Sequence, residues 1–356
     1  MDLSYLGLND SIKGSIDEDM LKDYRLARVA AVDKESYVVY GENTECRAEL
    51  AGKLMYAAGS ALDYPTVGDW VYVQYFDCNT FAIIHGLVPR KSLLRRKTAG
   101  KTVDIQLIAA NIDTALIIQS LDSNFNLQRL ERYVVVASES KIRPVILLSK
   151  SDLAQADEIQ ERLLAIKKRL PEVEAVSFSN LDGSAMANMS GLLNRGETFC
   201  LLGSSGVGKT TLVNNLIGDD SAFKTAAVRQ RDDKGRHTTS RRQMIVLKSG
   251  AILIDTPGMR ELGAFYVESG IESTFSEIAE LAKRCRFADC SHAQEAGCAV
   301  LEALGRGAID AKQYENFLRM VKESRYYAMS YQDKRNKDKN FGKMVKSVKK
   351  THEKYK

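Results

Sequence analysis

The sequence predicts a multidomain chain: a small N-terminal β-barrel, a central α/β domain of mostly parallel strands, and a C-terminal helical domain held by metal. Three observations predict it. Short strand-like runs punctuated by glycine fill the stretch from Arg25 to Pro89. From Thr114 the period changes to strands alternating with helices, around a glycine-rich Gly203-Ser204-Ser205-Gly206-Val207-Gly208-Lys209-Thr210. Finally, Cys285, Cys290, His292 and Cys298 crowd into one short segment. A length of 356 residues suits two or three domains at about 150 residues each.

The first residues, 1–24, form an acidic extension with Asp2, Asp10, Asp17, Glu18 and Asp19, and with no basic start followed by an apolar core. No signal peptide is indicated. Apolar runs such as Thr114 to Gln119 fall far short of the roughly 20 residues of a membrane helix. The expectation is a cytoplasmic protein with no membrane segment, and nothing suggests an obligate dimer, so a monomer is expected.

Residues 25–95 carry strand-like runs at Arg28 to Val32, Tyr37 to Tyr40, Asp69 to Phe76 and Thr80 to Leu87. An OB-fold fits this length, although periodicity alone does not separate it from an SH3-like barrel. Trp70, Tyr72, Tyr75 and Phe76 are read mostly as filling the barrel core, because alternate strand residues face inward. The basic run from Arg90 to Lys97 is either a phosphate-contacting strip or a solvated linker.

Within residues 96–275, strands are predicted at Thr114 to Ser120, Pro144 to Leu148 and Val173 to Phe178, with helices at Leu127 to Ser140 and Asp157 to Leu170. Such a sheet binds ligands at the carboxyl ends of its strands. The glycine-rich stretch follows the apolar run Phe199 to Leu202 and leads into a helix, which is the P-loop context. Its glycines let backbone N–H groups turn inward around phosphate, Lys209 reaches the outer phosphates, and the Thr210 hydroxyl ligates Mg²⁺. Gly203, Ser204, Ser205, Gly206, Val207, Gly208, Lys209, Thr210 and Thr211 are therefore the candidate phosphate-binding residues.

At the end of a preceding strand stands Ser149-Lys150-Ser151-Asp152. The Asp152 carboxylate suits a guanine edge, whose ring N–H and exocyclic amine form a pair of donors that adenine lacks. The motif resembles the N/T-K-x-D guanine motif of GTPases, with serine for the usual asparagine. Asp255-Thr256-Pro257-Gly258 resembles the D-x-x-G motif, in which Asp255 reaches Mg²⁺ through water and Gly258 senses the γ-phosphate. Gly235-Arg236-His237-Thr238-Thr239 resembles switch I, and Ser177-Phe178-Ser179 sits where a base-contacting loop belongs, with Ser177 the candidate.

The order of these motifs is unusual: guanine motif and base loop come before the P-loop, switch I and D-x-x-G. With a barrel before and a cysteine cluster after, the chain resembles the RsgA (YjeQ) family of circularly permuted, ribosome-small-subunit-dependent GTPases. The resemblance implies an N-terminal OB-fold β-barrel, a central circularly permuted P-loop α/β GTPase domain and a C-terminal α-helical zinc-binding domain. It implies GTP hydrolysis to GDP and phosphate in late maturation of the small (30S) ribosomal subunit, with its rRNA as partner. A nucleotide-regulated rRNA-binding module with negligible turnover is the alternative.

Met259 stands where many GTPases place the glutamine that orients water. The missing group is sought in His237, assigned with Thr239 to the catalytic set, or in ribosomal RNA. Three thiolates and one imidazole at C-x₄-C-x-H-x₅-C, within residues 276–330, match a four-ligand structural Zn²⁺ site. The last segment, 331–356, holds ten Lys/Arg against three Asp/Glu in a chain of net charge +5. It is expected to be an arm that orders on RNA.

Overall fold

Among the described residues, eleven strands join into one sheet in the order Glu174–Ser177, Arg143–Ser149, Thr114–Ser120, Thr198–Leu202, Ile252–Asp255, Gln243–Val246, Arg25–Val32, Tyr37–Gly41, Thr44–Leu50, Phe81–Leu87 and Trp70–Phe76, with Arg25–Val32 also pairing Trp70–Phe76. The computed structural model describes residues 2–33, 36–97, 105–181, 189, 191–217, 242–255, 267–329 and 333. The chain divides into two compact units, Met1–Gly263 and Ala264–Lys356.

In the first unit, β1 (Arg25–Val32), β2 (Tyr37–Gly41), β3 (Thr44–Leu50), β4 (Trp70–Phe76) and β5 (Phe81–Leu87) close a five-stranded barrel. Only β3 and β5 pair in parallel within it. The core is aliphatic and small: Ala27, Val29, Val39, Ala48, Val71, Val73, Ala82 and Ile84. The expectation that the aromatics fill it holds for Tyr75, which packs against that core, and is corrected for the other three: Phe76 is exposed, and Trp70 and Tyr72 face the other way. Leu26 lies opposite Tyr72 and Arg28 opposite Trp70, so these four share the other face of the β1–β4 pair. That face is buried as well. Tyr72 accepts a hydrogen bond from Asp17 N at 2.6 Å, which ties the N-terminal extension to the barrel.

Short helical turns, α1 (Asp10–Lys13) and α2 (Met20–Asp23), precede β1, and α3 (Gly52–Ala57) follows β3. The basic run after the barrel is not a solvated linker. Its Arg90 grips the buried Asp69 carboxylate with two nitrogens, at 2.8 and 2.7 Å. Burial raises the Asp69 pKa, and the Arg90 contacts oppose that rise. Leu93–Lys97 forms β6, paired antiparallel with β7 (Ile105–Ala110), and Leu94 is fully buried.

Five parallel strands make the other half of the sheet: β8 (Thr114–Ser120), β9 (Arg143–Ser149), β10 (Glu174–Ser177), β11 (Thr198–Leu202) and β13 (Ile252–Asp255). β12 (Gln243–Val246) is antiparallel to β13 and meets β1, joining this half to the barrel. β8 and β11 are buried at every position, as expected of central parallel strands with both faces covered. Helix α4 (Leu127–Glu139) starts where the Asn126 side chain accepts from Arg129 N, and it buries Leu130, Tyr133, Val134 and Ala137 at helical spacing. Helix α5 (Ala156–Arg169) has Asp157 and Glu158 in its first turn and Lys167, Lys168 and Arg169 in its last, which suits the helix dipole. α6 (Lys209–Ile217) follows β11 and packs Leu212, Val213 and Leu216 into the core.

Arg28 links these parts. It is 1 % exposed, and it donates to Leu6 O (2.5 Å), Gly68 O (3.1 Å), Asn111 O (3.2 Å) and Thr198 Oγ1 (2.9 Å). Burial lowers its pKa to about 10 despite the opposing pull of Asp113 and Asp69. One side chain thereby fastens the extension, the barrel, the β7–β8 turn and the strand that leads into the P-loop. Arg28→Met keeps the aliphatic stem and strips these acceptors of their donor. Buried polar groups left unpaired cost about 1–3 kcal/mol each. The expected result is a loss of about 3 kcal/mol or more in urea unfolding; an unchanged midpoint would refute the role.

In the second unit, α7 (Glu268–Thr274), α8 (Ser276–Ala282), α9 (Ala299–Gly305) and α10 (Ala311–Ala328) bury Ile271, Phe275, Ile278, Val300, Ala303, Phe317 and Met320. Phe275 and Phe317 meet edge to face at 5.7 Å. No described helix is long and apolar enough to cross a membrane.

Candidate functional site

The carboxyl ends of the parallel strands bring the candidate residues to one edge of the sheet. Leu202, at the end of β11, passes directly into Gly203, where φ is +144° and an added Cβ would stand 2.3 Å from Ile118 O. Only glycine fits there. Gly206 and Gly208 also have positive φ, which turns the loop around before α6 begins at Lys209. The Lys209 ammonium arches back over the loop to Gly203 O (2.7 Å) and Ser204 O (2.5 Å). Thr210 and Thr211 lie exposed in the first turn of α6.

Beside the loop, β9 ends at the fully buried Ser149. Its hydroxyl donates to Val207 O at 2.7 Å, so the guanine motif is tied to the P-loop. Lys150 follows with φ +62°, and its ammonium pairs with Asp122 Oδ2 at 2.9 Å. The hydrogen bond from Lys150, with that from Asn124 N, holds the Asp122 pKa down to about 2. A depressed carboxyl keeps its charge as pH falls through the ordinary carboxylate range, so this ion pair persists there. Ser151 N donates to Phe178 O, and Asp152 is exposed with one carboxylate oxygen accepting from Ser179 Oγ.

On the other flank, Arg129 Nη1 from the first turn of α4 donates to Ser204 Oγ at 3.0 Å. Asp255 ends β13, beside β11 in the sheet. A turn-rich segment in the second unit collects Cys285, Cys290, His292 and Cys298, whose ligand atoms all lie within 4.8 Å of one another. Cys285 Sγ is 3.8 Å from Cys298 Sγ, and His292 Nδ1 is 3.5 and 3.6 Å from those two sulfurs. Zn–S bonds of about 2.3 Å and Zn–N bonds of about 2.0–2.1 Å, set tetrahedrally, give ligand separations of about 3.5–3.8 Å. The cluster fits a four-coordinate ion, and the sulfurs are too far apart for a disulfide.

The RsgA GTPase family model matches residues 87–265. A curated relative from Bacteroides thetaiotaomicron, "Small ribosomal subunit biogenesis GTPase RsgA 1", is 39% identical over 350 residues, covering 98% of this chain and 97% of its own. The chain belongs to the RsgA GTPase family. As an RsgA-family protein it is a GTPase, a hydrolase acting on GTP. A Listeria monocytogenes protein, "Small ribosomal subunit biogenesis GTPase RsgA 2", is 43% identical over 305 residues, covering 85% of this chain and 84% of its own. The crystal structure of YjeQ from Thermotoga maritima matches the fold with a TM-score of 0.63 at 23% identity, covering 84% of this chain and 98% of that one. YloQ, a circularly permuted GTPase, gives 0.59 at 21%, covering 84% and 94%.

Set against the sequence expectations, this RsgA-family chain brings Ser149, Lys150, Ser151 and Asp152 to the side of Gly203, Ser204, Ser205, Gly206, Val207, Gly208, Lys209 and Thr210. Ser177 is the exception. It remains in β10, paired with Leu148, and the hydroxyl that reaches Asp152 belongs to Ser179, two residues on. β10 ends at Ser177, one residue short of the predicted strand end at Phe178, so the loop begins at Phe178 and Ser179 supplies its hydroxyl. His237, Thr239, Gly258 and Met259 lie outside the described residues, as does the basic tail apart from Asp333. Asp122, Arg129 and Asn180 are outside the sequence expectations, and Ser179 lies in the expected base loop although Ser177 was its candidate. Position at the end of a parallel strand was the available signal for Asp122 and Ser179.

Proposed function

We propose that this RsgA-family GTPase binds the small (30S) ribosomal subunit and assists its late maturation, with hydrolysis of GTP as the release step. The observation that carries this reading is the near full-length similarity to proteins named small ribosomal subunit biogenesis GTPases, joined to guanine and phosphate motifs that converge on one sheet edge. The finer layout proposed is an extension (1–24), an OB-fold (25–95), a permuted GTPase domain (96–275), an α-helical zinc-binding domain (276–330) and a basic tail (331–356). The parallel β3–β5 pairing supports an OB-type barrel over a meander.

In this reading Asp152 accepts from the guanine N1–H and 2-amino groups, while Lys150 lays its stem along the base. The loop from Gly203 to Gly208 turns backbone N–H groups onto the β-phosphate, and Lys209 exchanges its loop carbonyls for phosphate oxygens. Thr210 and Asp255 are the side chains for Mg²⁺, which, when bound, neutralises charge on the β- and γ-phosphates. Water attacks the γ-phosphorus, the bond to the β-phosphate oxygen breaks, and GDP and phosphate leave. Methionine at position 259 cannot orient that water, so His237 and Thr239 in switch I, or rRNA docked against them, supply the missing contact. The Cys3His cluster holds a structural Zn²⁺, and the tail neutralises rRNA phosphates. The protein acts as a cytoplasmic monomer.

Phosphate release from GTP and ATP, with and without purified small subunits at two salt concentrations, tests the reading. Strong, GTP-selective stimulation that falls with salt is expected. Unchanged release on adding subunits would instead favour an rRNA-binding module for which nucleotide is only a ligand.

A further inference from the structure

Ser149 makes one tie between the guanine motif and the P-loop. A serine hydroxyl has a single proton to donate, and here it goes to Val207 O. An amide side chain in that place has two donors, enough to hold a second point. The next carbonyl along the loop, Gly208 O, also accepts Leu212 N in the first turn of α6. It therefore marks the joint between the P-loop and its helix.

That carbonyl is met from the base loop. Asn180 Nδ2 donates to Gly208 O at 3.3 Å, and an added Cβ on Gly208 would stand 2.8 Å from the same nitrogen. Asn180 is itself held from α6, since Asn215 Nδ2 donates to Asn180 O at 3.1 Å. It directly follows Ser179, whose hydroxyl fixes Asp152. The base loop is thus fastened to the two sides of the joint, one bond on the loop and one on the helix.

We propose that Asn180 is a positioning residue for guanine-nucleotide binding, supplying the amide tie between base loop and P-loop that Ser149 cannot make. The inference rests on the reading of this edge as the guanine-nucleotide site. Bound GDP spans both loops, its base on one and its phosphates on the other. The ties run side by side to adjacent P-loop residues, one from the guanine motif to Val207 and one from the base loop to Gly208, so each limits how far the base side and the P-loop part when nucleotide leaves. With one tie cut the other still holds; with both cut, the loops separate.

The test is the release rate of a fluorescent GDP analogue from the full chain and from Asn180→Ala, Ser149→Ala and the double variant. A neutral hydrogen bond contributes about 1 kcal/mol, which is roughly a fivefold change in rate. Each single variant is expected to release GDP about fivefold faster, and the double variant faster than the product of the two. Asn180→Asp keeps the shape but turns a carboxylate toward Gly208 O, so it should release at least as fast as Asn180→Ala. Melting of the nucleotide-free protein should be unchanged in Asn180→Ala, which separates positioning from general stability. Unaltered release from Asn180→Ala, or a double variant that is merely multiplicative, overturns the proposal while leaving the site in place. Wild-type protein that holds no GDP overturns the site reading and the proposal together.

Discussion

An Asp152→Asn variant is expected to lose guanine nucleotides and to gain xanthine nucleotides. The carboxylate offers two acceptors to a base edge with two donors, N1–H and the 2-amino group. Asparagine keeps one acceptor and replaces the other with an amide donor, which then faces the amine of guanine donor to donor. Hydrogen bonds to a charged group contribute about 1.5–3 kcal/mol each, so GDP affinity should fall about a hundredfold or more. Xanthine carries a carbonyl in place of the amine, and the new amide donor matches it. The side chain is well placed for this exchange, because Ser179 Oγ already pins one of its oxygens and the residue is open to solvent. Competition of GDP and xanthosine diphosphate against a fluorescent nucleotide reads both halves. Retained GDP preference in a folded variant would remove Asp152 from base recognition.

Removing metal from the Cys3His cluster should unfold the segment that carries it. The separations of 3.5, 3.6 and 3.8 Å among three of the ligand atoms place the sulfurs and the imidazole where an ion belongs. Without the ion the thiols take up protons and nothing draws the four groups together. Structural zinc contributes about 10–16 kcal/mol of apparent binding free energy in small domains at neutral pH, as much as or more than the roughly 5–15 kcal/mol that holds a whole domain folded. The cluster also holds secondary structure in place, for Cys298 caps α9 and its sulfur accepts from Leu301 N. In Cys290→Ser/Cys298→Ser, or after chelation, one zinc per chain should be lost and amide protection should vanish from Cys285 through Gly305. The neighbouring α10 packs Phe317 and Met320 into apolar contacts and should retain more protection. A metal-free chain with full protection across that segment would argue that packing alone folds it.

The base loop shows where motif reading stops. Ser177 and Ser179 both sit near a strand end, and the choice between them depends on where β10 stops pairing with β9. That limit is set by the neighbouring strand, not by the local residues. The basic run after the barrel is a similar case. Its charges suggested phosphate or solvent, yet Arg90 lies against Asp69, 21 residues earlier, and half of the run became a strand through pairing with β7.

What the amino-acid sequence determined by itself is whatever is local. The P-loop, the guanine motif and the Cys3His cluster each occupy a short run whose chemistry needs fixed spacing, and the permuted order follows from where those runs fall along the chain. The alternation of strands and helices from Thr114 was equally legible, because burial on both faces leaves continuous apolar runs such as β8. The tertiary structure decided the contacts made across long separations: Arg28 with Thr198, Arg129 with Ser204, Asp122 with Lys150, and Asn180 with Gly208. Apart from Gly208, which contributes a backbone carbonyl, each partner alone is an ordinary polar residue in a turn, strand or helix. Folding brings the pairs within hydrogen-bond reach, and for the buried Arg28–Thr198 pair the cost of leaving polar groups unpaired selects the partner.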